Sequence, residues 1–116
     1  MKYPTALLPY SPFVKVWNFI YFSGQIGLCP DTMKLETTIE SQTKQVCENI
    51  LWVCEAAWVE IDNIFKTTIF LAQMSDFASV NEIYGRYFQH KPARSCVAVR
   101  ELPAWAKVEI ECIAYK

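Results

Sequence analysis

The sequence PARSCVAVR at residues 92–100, followed by KVEIECIA at residues 107–114, gives the clearest indication of the fold. In both stretches apolar residues alternate with polar or small ones, which is the period of a half-buried β-strand. Residues 102–105, Leu-Pro-Ala-Trp, have the composition of a turn. We therefore expect the two stretches to pair as an antiparallel hairpin centred on Pro103 and Ala104.

Such a hairpin would have one apolar face and one charged face. The side chains expected on the apolar face are Val97, Val99, Val108, Ile110 and Cys112. The side chains expected on the charged face are Arg94, Cys96, Arg100, Lys107, Glu109 and Glu111. A strand with one polar face lies at a surface, so this face is the first place to look for chemistry.

The rest of the chain supplies three further strands and two helices. Strands are predicted at 13–15 and 19–23 around a turn at Trp17 and Asn18, and at 63–72. Helical spacing of apolar residues predicts helices over 38–57 and 76–88. Two glycines at 24 and 27 indicate a bulge or a close approach of the backbone. The order β-β-α-β-α-β-β predicts one α+β domain over residues 1–116, with both helices on one face of a mixed sheet.

Composition limits the class of partner. Hydrophobic residues make up 53% of the 116 residues, which suggests that some apolar surface is buried against other subunits. The 11 basic residues are balanced by 12 acidic ones, and no basic run occurs. Proteins that bind nucleic acid through its phosphates usually carry a basic stripe, so nucleic acid is disfavoured as the main partner.

The five cysteines form no Cys-x-x-Cys pair, and His90 is the single histidine. We expect reduced thiols, a cytoplasmic location, no metal site and no other cofactor. The sequence also has no apolar run long enough to predict a membrane span. Cys96 admits a second interpretation, as a nucleophile whose thiolate is favoured by Arg94, although a residue that shapes a pocket is the more common role.

Five short motifs resemble one known family. They are SGQI at 23–26, KTTIF at 66–70, DFASVNEIY at 76–84, PARSCV at 92–97 and VEIE at 108–111. In this order and at this spacing they resemble the Rid (YjgF) family of reactive intermediate deaminases, from about Tyr10 to the C-terminus. The resemblance implies a chorismate-mutase-like α+β fold and a homotrimer with ligand clefts between subunits.

The resemblance also implies an activity and a set of site residues. Members of the family hydrolyse 2-imino or 2-enamino acids, such as 2-aminoacrylate and 2-iminobutanoate from pyridoxal-phosphate dehydratases, to 2-keto acids and ammonia. By resemblance, Arg94 binds the substrate carboxylate and Glu109 handles the water. The residues that would line the cleft are Tyr10, Ser23, Asn81 and Cys96.

The sequence departs from the family at positions where relatives commonly have glycine. These positions hold Leu8, Trp17, Met33, Trp58 and Trp105. Glycine at turns and helix ends usually adopts positive φ, so these residues either accept a left-handed conformation at about 1–2 kcal/mol each or use different turns. Leu8 is nearest to a candidate site residue and therefore bears on the shape of the cleft.

The chemistry explains why these two charged residues are the candidates. A planar guanidinium holds a carboxylate through two donors, and a carboxylate with a raised pKa can take a proton from water and return one to the departing nitrogen. In the symmetric hairpin Arg94 and Glu109 would be about 13 Å apart, at about 3.3 Å per residue. Since this is too far for one three-carbon substrate, we hypothesise that Arg94 of one subunit works with Glu109 of its neighbour.

Two other functions remain open from the sequence. A trimeric binding or regulatory protein could capture small carboxylates at Arg94 without turnover. A ribonuclease or translation inhibitor, a label often attached to this family, is disfavoured by the missing basic stripe and the lone histidine.

Overall fold

The computed structural model describes residues 3–6 and 8–116, in which five strands form one sheet and two helices cover one of its faces. The strands are β1 (Phe13–Val16), β2 (Phe19–Ile26), β3 (Ile64–Leu71), β4 (Ala93–Ala98) and β5 (Val108–Tyr115). The helices are α1 (Ile39–Ala57) and α2 (Phe77–Tyr87), and short 3-10 turns lie at Ile61–Asn63, Met74–Asp76 and Pro103–Trp105. The predicted fold class is confirmed, and most predicted boundaries agree within two or three residues.

Helix α1 starts where the sequence predicts it because Thr38 caps it. The Thr38 hydroxyl accepts a hydrogen bond from the Ser41 N–H, and the Ser41 hydroxyl accepts one from the Thr38 N–H. This reciprocal arrangement satisfies two of the backbone donors that a helix start leaves free. The predicted apolar stripe is buried against the sheet: Val46, Ile50, Val53, Cys54 and Ala57.

The predicted hairpin between the last two strands is wrong. The sheet order is β1-β2-β5-β3-β4, so β3 lies between β4 and β5. Strand β4 pairs with β3 in parallel, and β5 pairs antiparallel with both β2 and β3. A parallel partner requires a long crossover connection, which residues 72–92 supply through α2. Residues 99–107 then return from the sheet edge to its centre.

The predicted faces are correct for β5 and wrong for β4. Val108, Ile110, Cys112 and Ala114 of β5 are buried under the helices. On β4 the same helix-covered face carries Arg94 and Cys96, since they pair with the buried Thr67 and Ile69 of β3. Val97, expected in the core, is 45% exposed on the opposite face.

The sheet face opposite the helices is largely apolar and open. Its exposed large side chains include Val14, Val16, Tyr21, Phe65 and Tyr115. Phe19 makes edge contacts with Phe65 and Tyr115, with ring centroids 6.1 and 5.1 Å apart. An apolar face of this kind usually marks an interaction surface. None of the helices in the described part of the chain is long and apolar enough to cross a membrane.

Four of the five positions where relatives commonly have glycine adopt the left-handed conformation. The φ angles are 54° at Trp17, 57° at Met33, 62° at Trp58 and 60° at Trp105. Leu8 lies outside this region, whereas Lys91 and Ala104 also have positive φ. At these four positions the chain therefore adopts the left-handed conformation that glycine usually serves and accepts the strain.

Replacing Trp58 with glycine is expected to raise the free energy of unfolding by about 0.5–1 kcal/mol. Trp58 forms the left-handed C-cap of α1 and is 80% exposed, so the substitution relieves backbone strain and removes little packing. Chemical denaturation measures the change. Glu55→Gly, at an exposed position in the same last turn but within the helix, is the control and should destabilise by a similar amount. Equal destabilisation by both variants would contradict the strain argument.

Candidate active site

Glu109 lies on the open face of the sheet, beside a glycine that makes room for it. A Cβ atom added at Gly24 of β2 would lie 2.8 Å from Glu109 Cδ and 3.0 Å from Oε2. The pairing of β2 with β5 is irregular between Phe22 and Gln25, the segment that contains Gly24. The two glycines predicted a bulge or a close approach of the backbone, and the segment at Gly24 has both a register shift and a close contact, which lets the Glu109 carboxylate lie over β2.

The environment of Glu109 favours the protonated carboxyl group. Burial raises its pKa above the ordinary value, and the neighbouring charge of Glu111 raises it further. A raised pKa brings a carboxyl group closer to the neutral range in which it can both accept and donate a proton. This is the property that the proposed water-handling role requires.

Tyr10 and Ser23 share a cleft with Glu109. The cleft has a volume of about 330 Å³, and the remaining residues that line it are Pro4, Leu8, Pro12, Gly24, Gln25, Ile26, Leu28 and Pro103. The Ser23 hydroxyl donates a hydrogen bond of 2.6 Å to the Ser11 carbonyl, which fixes the N-terminal segment against β2. Tyr10 is 52% exposed, so its ring is available to a ligand or a neighbouring subunit. We call Tyr10, Ser23 and Glu109 the glutamate cleft.

Arg94 lies on the opposite, helix-covered face at the sheet edge. Its Nη1 donates a 2.5 Å hydrogen bond to Asn81 Oδ1 of α2. Its guanidinium carbon is 5.6 Å from the ring centroid of Phe77 and 5.1 Å from that of Tyr84, within the range of cation–π attraction. We call Arg94, Asn81, Phe77 and Tyr84 the arginine platform. A groove of about 480 Å³ beside it is lined by Asn81, Tyr84, Gly85, Phe88, Gln89, Lys91, Pro92 and Arg94.

Cys96 is half-buried on the same face as Arg94 and packs against the hydrophobic core. Burial raises the pKa of its thiol, and the nearby Arg94 charge opposes this only in part. The thiol form is therefore favoured, which argues against the nucleophile interpretation. All five cysteines lie in the described part of the chain and are free.

The six candidate residues thus form two groups of three on opposite sides of one sheet. Tyr10, Ser23 and Glu109 occupy the open face, and Arg94, Asn81 and Cys96 occupy the helix-covered face. The predicted common face for Arg94 and Glu109 is wrong. Arg94 pairs with Thr67 of β3, and Glu109 pairs with Phe70, three residues further along the same strand. Because successive side chains of a strand point to opposite faces, an odd separation places Arg94 and Glu109 on opposite faces. Within one chain the sheet therefore separates the two charged groups.

A larger groove, of about 620 Å³, runs between α1 and α2 and contains none of the candidate residues. Its size alone does not recommend it, because two of its charged side chains, Glu82 and Arg86, pair with each other. Among residues 3–6 and 8–116, no group of three or more His, Cys, Asp or Glu side chains is arranged to hold a metal ion.

Sequence reasoning missed Phe77 and Tyr84 as parts of the site. Their helical spacing predicts only an apolar stripe on α2, which is typical of core packing. Tyr84 is indeed 6% exposed, but its ring also faces Arg94. One signal in the sequence could have indicated this contact. Tyr84 lies on the crossover helix α2, which leads directly into β4, the strand that carries Arg94.

Comparison with known proteins identifies the family and several relatives of this chain. The family model described as Endoribonuclease L-PSP matches residues 1–116. Reactive Intermediate Deaminase A, chloroplastic, from Arabidopsis thaliana is 46% identical over 115 residues, which cover 97% of this chain and 62% of that protein.

Two solved structures are also similar. RidA from the Antarctic bacterium Psychrobacter is 42% identical with a TM-score of 0.96, covering 99% of this chain and 94% of that one. E. coli TdcF with bound serine is 35% identical with a TM-score of 0.95, again covering 99% of this chain and 94% of that one.

Proposed function

Because the chain belongs to the endoribonuclease L-PSP family, which includes the Rid proteins, we propose that it is an enamine/imine deaminase. Its substrates are 2-imino or 2-enamino acids, such as 2-aminoacrylate and 2-iminobutanoate. An enamino acid first tautomerises to its imine, in which the β-carbon gains a proton and the nitrogen loses one. Water then adds to the C=N carbon, the C–N bond breaks, and the products are a 2-keto acid and ammonia. The observation that carries the proposal is the combination of two residues. Glu109 is a carboxyl group of raised pKa in a cleft, and Arg94 is an arginine with N–H donors still available to a ligand.

Arg94 suits the substrate carboxylate. A guanidinium has five N–H donors, and among residues 3–6 and 8–116 Arg94 donates one side-chain hydrogen bond, to Asn81. The remaining donors can bind a carboxylate in the bidentate manner that distinguishes arginine from lysine. The bound serine named for the E. coli relative supports recognition of a small amino-acid-like carboxylate.

Glu109 suits the transfer of protons. In the ionised form it accepts a proton from the attacking water, and in the protonated form it returns a proton to the departing nitrogen. Both steps need a carboxyl group whose pKa has moved toward neutrality, which burial and Glu111 supply. Tyr10 and Ser23 line the cleft around the reacting carbon.

A homotrimer completes the site in this proposal. Since Arg94 and Glu109 lie on opposite faces of one sheet, the arginine platform of one subunit must meet the glutamate cleft of its neighbour. The open apolar face with Val14, Val16 and Tyr115 supports such an assembly, because burial against a neighbour removes it from water. We therefore propose that Arg94 of one subunit works with Glu109 of its neighbour. The proposal rests on the opposite faces that these residues occupy and no longer on their separation in a hairpin.

A non-catalytic carboxylate-binding protein is the second candidate. It shares every feature of the arginine platform and differs only in having no use for the raised pKa of Glu109. The ribonuclease alternative has less support, since both ring nitrogens of the single histidine, His90, have structural neighbours. Nε2 is 2.8 Å from the Ile64 carbonyl oxygen, and Nδ1 is 3.4 Å from Asp62 Oδ1. In the described part of the chain, neither the glutamate cleft nor the arginine platform includes a histidine.

A coupled assay tests the proposal. A serine or threonine dehydratase generates the enamine, and release of keto acid is timed with the wild type, Arg94→Ala and Glu109→Ala. We expect the wild type to accelerate release and each variant to lose most of the effect. Arg100→Ala and Glu101→Ala, at exposed positions in the connection between β4 and β5, are matched controls and should stay active. No acceleration by the wild type would favour the binding protein over the enzyme.

A further inference from the structure

The guanidinium of Arg94 is held by three side chains of one helix. Phe77 and Tyr84 lie seven residues apart, two turns of α2, and both rings are within 5.6 Å of the guanidinium carbon. Asn81 lies between them and accepts the Nη1 hydrogen bond at 2.5 Å. Two aromatic rings and one amide oxygen of α2 therefore surround the positively charged guanidinium of Arg94.

Tyr84 is itself fixed from two directions. Its hydroxyl forms a 2.7 Å hydrogen bond with Thr67 Oγ1, and Thr67 is the β3 residue directly opposite Arg94 in the parallel pair. Its ring stacks on Phe88 at a centroid distance of 4.3 Å and an interplanar angle of 15°. Tyr84 as a whole is 6% exposed, so these contacts hold the ring in a largely buried position beside the arginine. The hydrogen bond thus ties α2 to β3 at the level where β4 presents Arg94.

Such a platform restricts the arginine without using its donors. An aromatic face attracts the cation through its quadrupole and occupies none of the in-plane N–H groups. A bidentate carboxylate needs the guanidinium plane in one orientation, and a free arginine side chain would lose rotamer entropy on binding. We propose that Phe77 and Tyr84 are positioning residues that hold Arg94 ready for the substrate carboxylate, an inference that rests on the proposed carboxylate-binding function.

This role predicts a particular kinetic signature. The substrate carboxylate keeps its charge throughout hydrolysis, so Arg94 binds the ground state and the transition state equally well. Loss of uniform binding raises KM and leaves kcat unchanged. For Tyr84→Leu we expect KM for the imino acid to rise about three- to tenfold, with kcat within about twofold of wild type. Tyr84→Phe keeps the ring and should keep the wild-type KM, although it loses the Thr67 hydrogen bond.

The experiment compares five proteins after circular dichroism and size-exclusion chromatography have shown which are folded. They are wild type, Tyr84→Leu, Tyr84→Phe, Phe77→Leu and Val80→Ala. Val80 is 1% exposed on the same helix, so Val80→Ala loosens the core without removing a ring and should not raise KM. Phe77→Leu, at a half-buried position, tests the platform even if Tyr84→Leu does not fold.

Binding of 2-oxobutanoate by isothermal titration calorimetry separates this inference from the proposed activity. If the wild type binds the keto acid without hydrolysing imines, and Tyr84→Leu binds it more weakly, the activity fails and the platform stands. Hydrolysis with equal KM in wild type, Tyr84→Leu and Phe77→Leu overturns the platform and leaves the activity intact. A rise of KM in Val80→Ala or Tyr84→Phe as large as in Tyr84→Leu overturns it too, and neither hydrolysis nor binding overturns both.

Discussion

Replacement of Glu109 by glutamine is expected to lower kcat for imino acid hydrolysis by about 100-fold or more, with a much smaller change in KM. Glutamine has the size and shape of the glutamate side chain and fits beside Gly24, so the cleft keeps its form. It cannot take a proton from water, and this is the step that separates the transition state from bound substrate. Steady-state rates at saturating substrate measure the loss.

The pH profile gives an independent check of the same residue. Because burial raises the pKa of Glu109, wild-type activity should fall on the acid side at a pH above that expected for an ordinary glutamate. The residual activity of Glu109→Gln should not show this acid limb. Glu111→Gln is the matched control: it removes the secondary cause of the raised pKa, so its acid limb should move to lower pH while kcat stays near wild type.

Replacing Glu109 with glutamine should lower activity but raise the free energy of unfolding at neutral pH. Folding raises the pKa of Glu109, so the folded state binds the proton more tightly than the unfolded chain does. The free energy of unfolding of the wild type therefore declines as the pH rises from the ordinary value to the raised one. Glu109→Gln should be the more stable protein at neutral pH, and its advantage should vanish below about pH 4, where the carboxyl is neutral in both states. An unchanged kcat together with unchanged stability would remove Glu109 from the site.

The final strand shows how far a sequence pattern reaches. Alternation identified both β4 and β5 and assigned the buried face of β5 correctly. It could not identify their partners, because a period of two specifies a face and says nothing about which strand lies alongside. The turn at 102–105 looked like the centre of a hairpin, whereas a connection over residues 99–107 carries the chain past β3. Partner choice was decided by α2, whose crossover makes β4 a parallel neighbour of β3.

The site shows a similar division between residue identity and residue placement. The motifs named Arg94 and Glu109, and the chemistry explained why an arginine and a carboxylate are needed. Their placement on opposite faces follows from the sheet order, which the sequence did not specify. Conversely, Gly24 was recognised as a point of close approach, but the side chain that approaches it could be identified only from the pairing of β2 with β5. Phe77 and Tyr84 were missed because a helix face that packs a core and one that holds an arginine have the same spacing.

At substrate concentrations well below KM, where loss of Arg94 abolishes turnover, mixing Arg94→Ala with Glu109→Ala subunits is expected to restore activity that neither variant has alone. In a cyclic trimer each cleft takes Arg94 from one subunit and Glu109 from the next. After random mixing by joint unfolding and refolding, about a quarter of the clefts contain both residues, so about a quarter of wild-type activity should return. Each variant refolded alone accounts for any activity produced by the procedure itself.

Wild type mixed with the double variant Arg94→Ala/Glu109→Ala is the decisive control, because the two arrangements predict different numbers. If the two residues come from neighbouring subunits, an equal mixture keeps about a quarter of the activity, since both contributors must be wild type. If one chain supplied both residues, the same mixture would keep about half. A value of half, with no recovery on mixing the single variants, would contradict the inter-subunit site and require Arg94 to reach around the edge of the sheet. Because Arg94 and Glu109 lie on opposite faces of the sheet, with β3 between their strands, we expect a quarter.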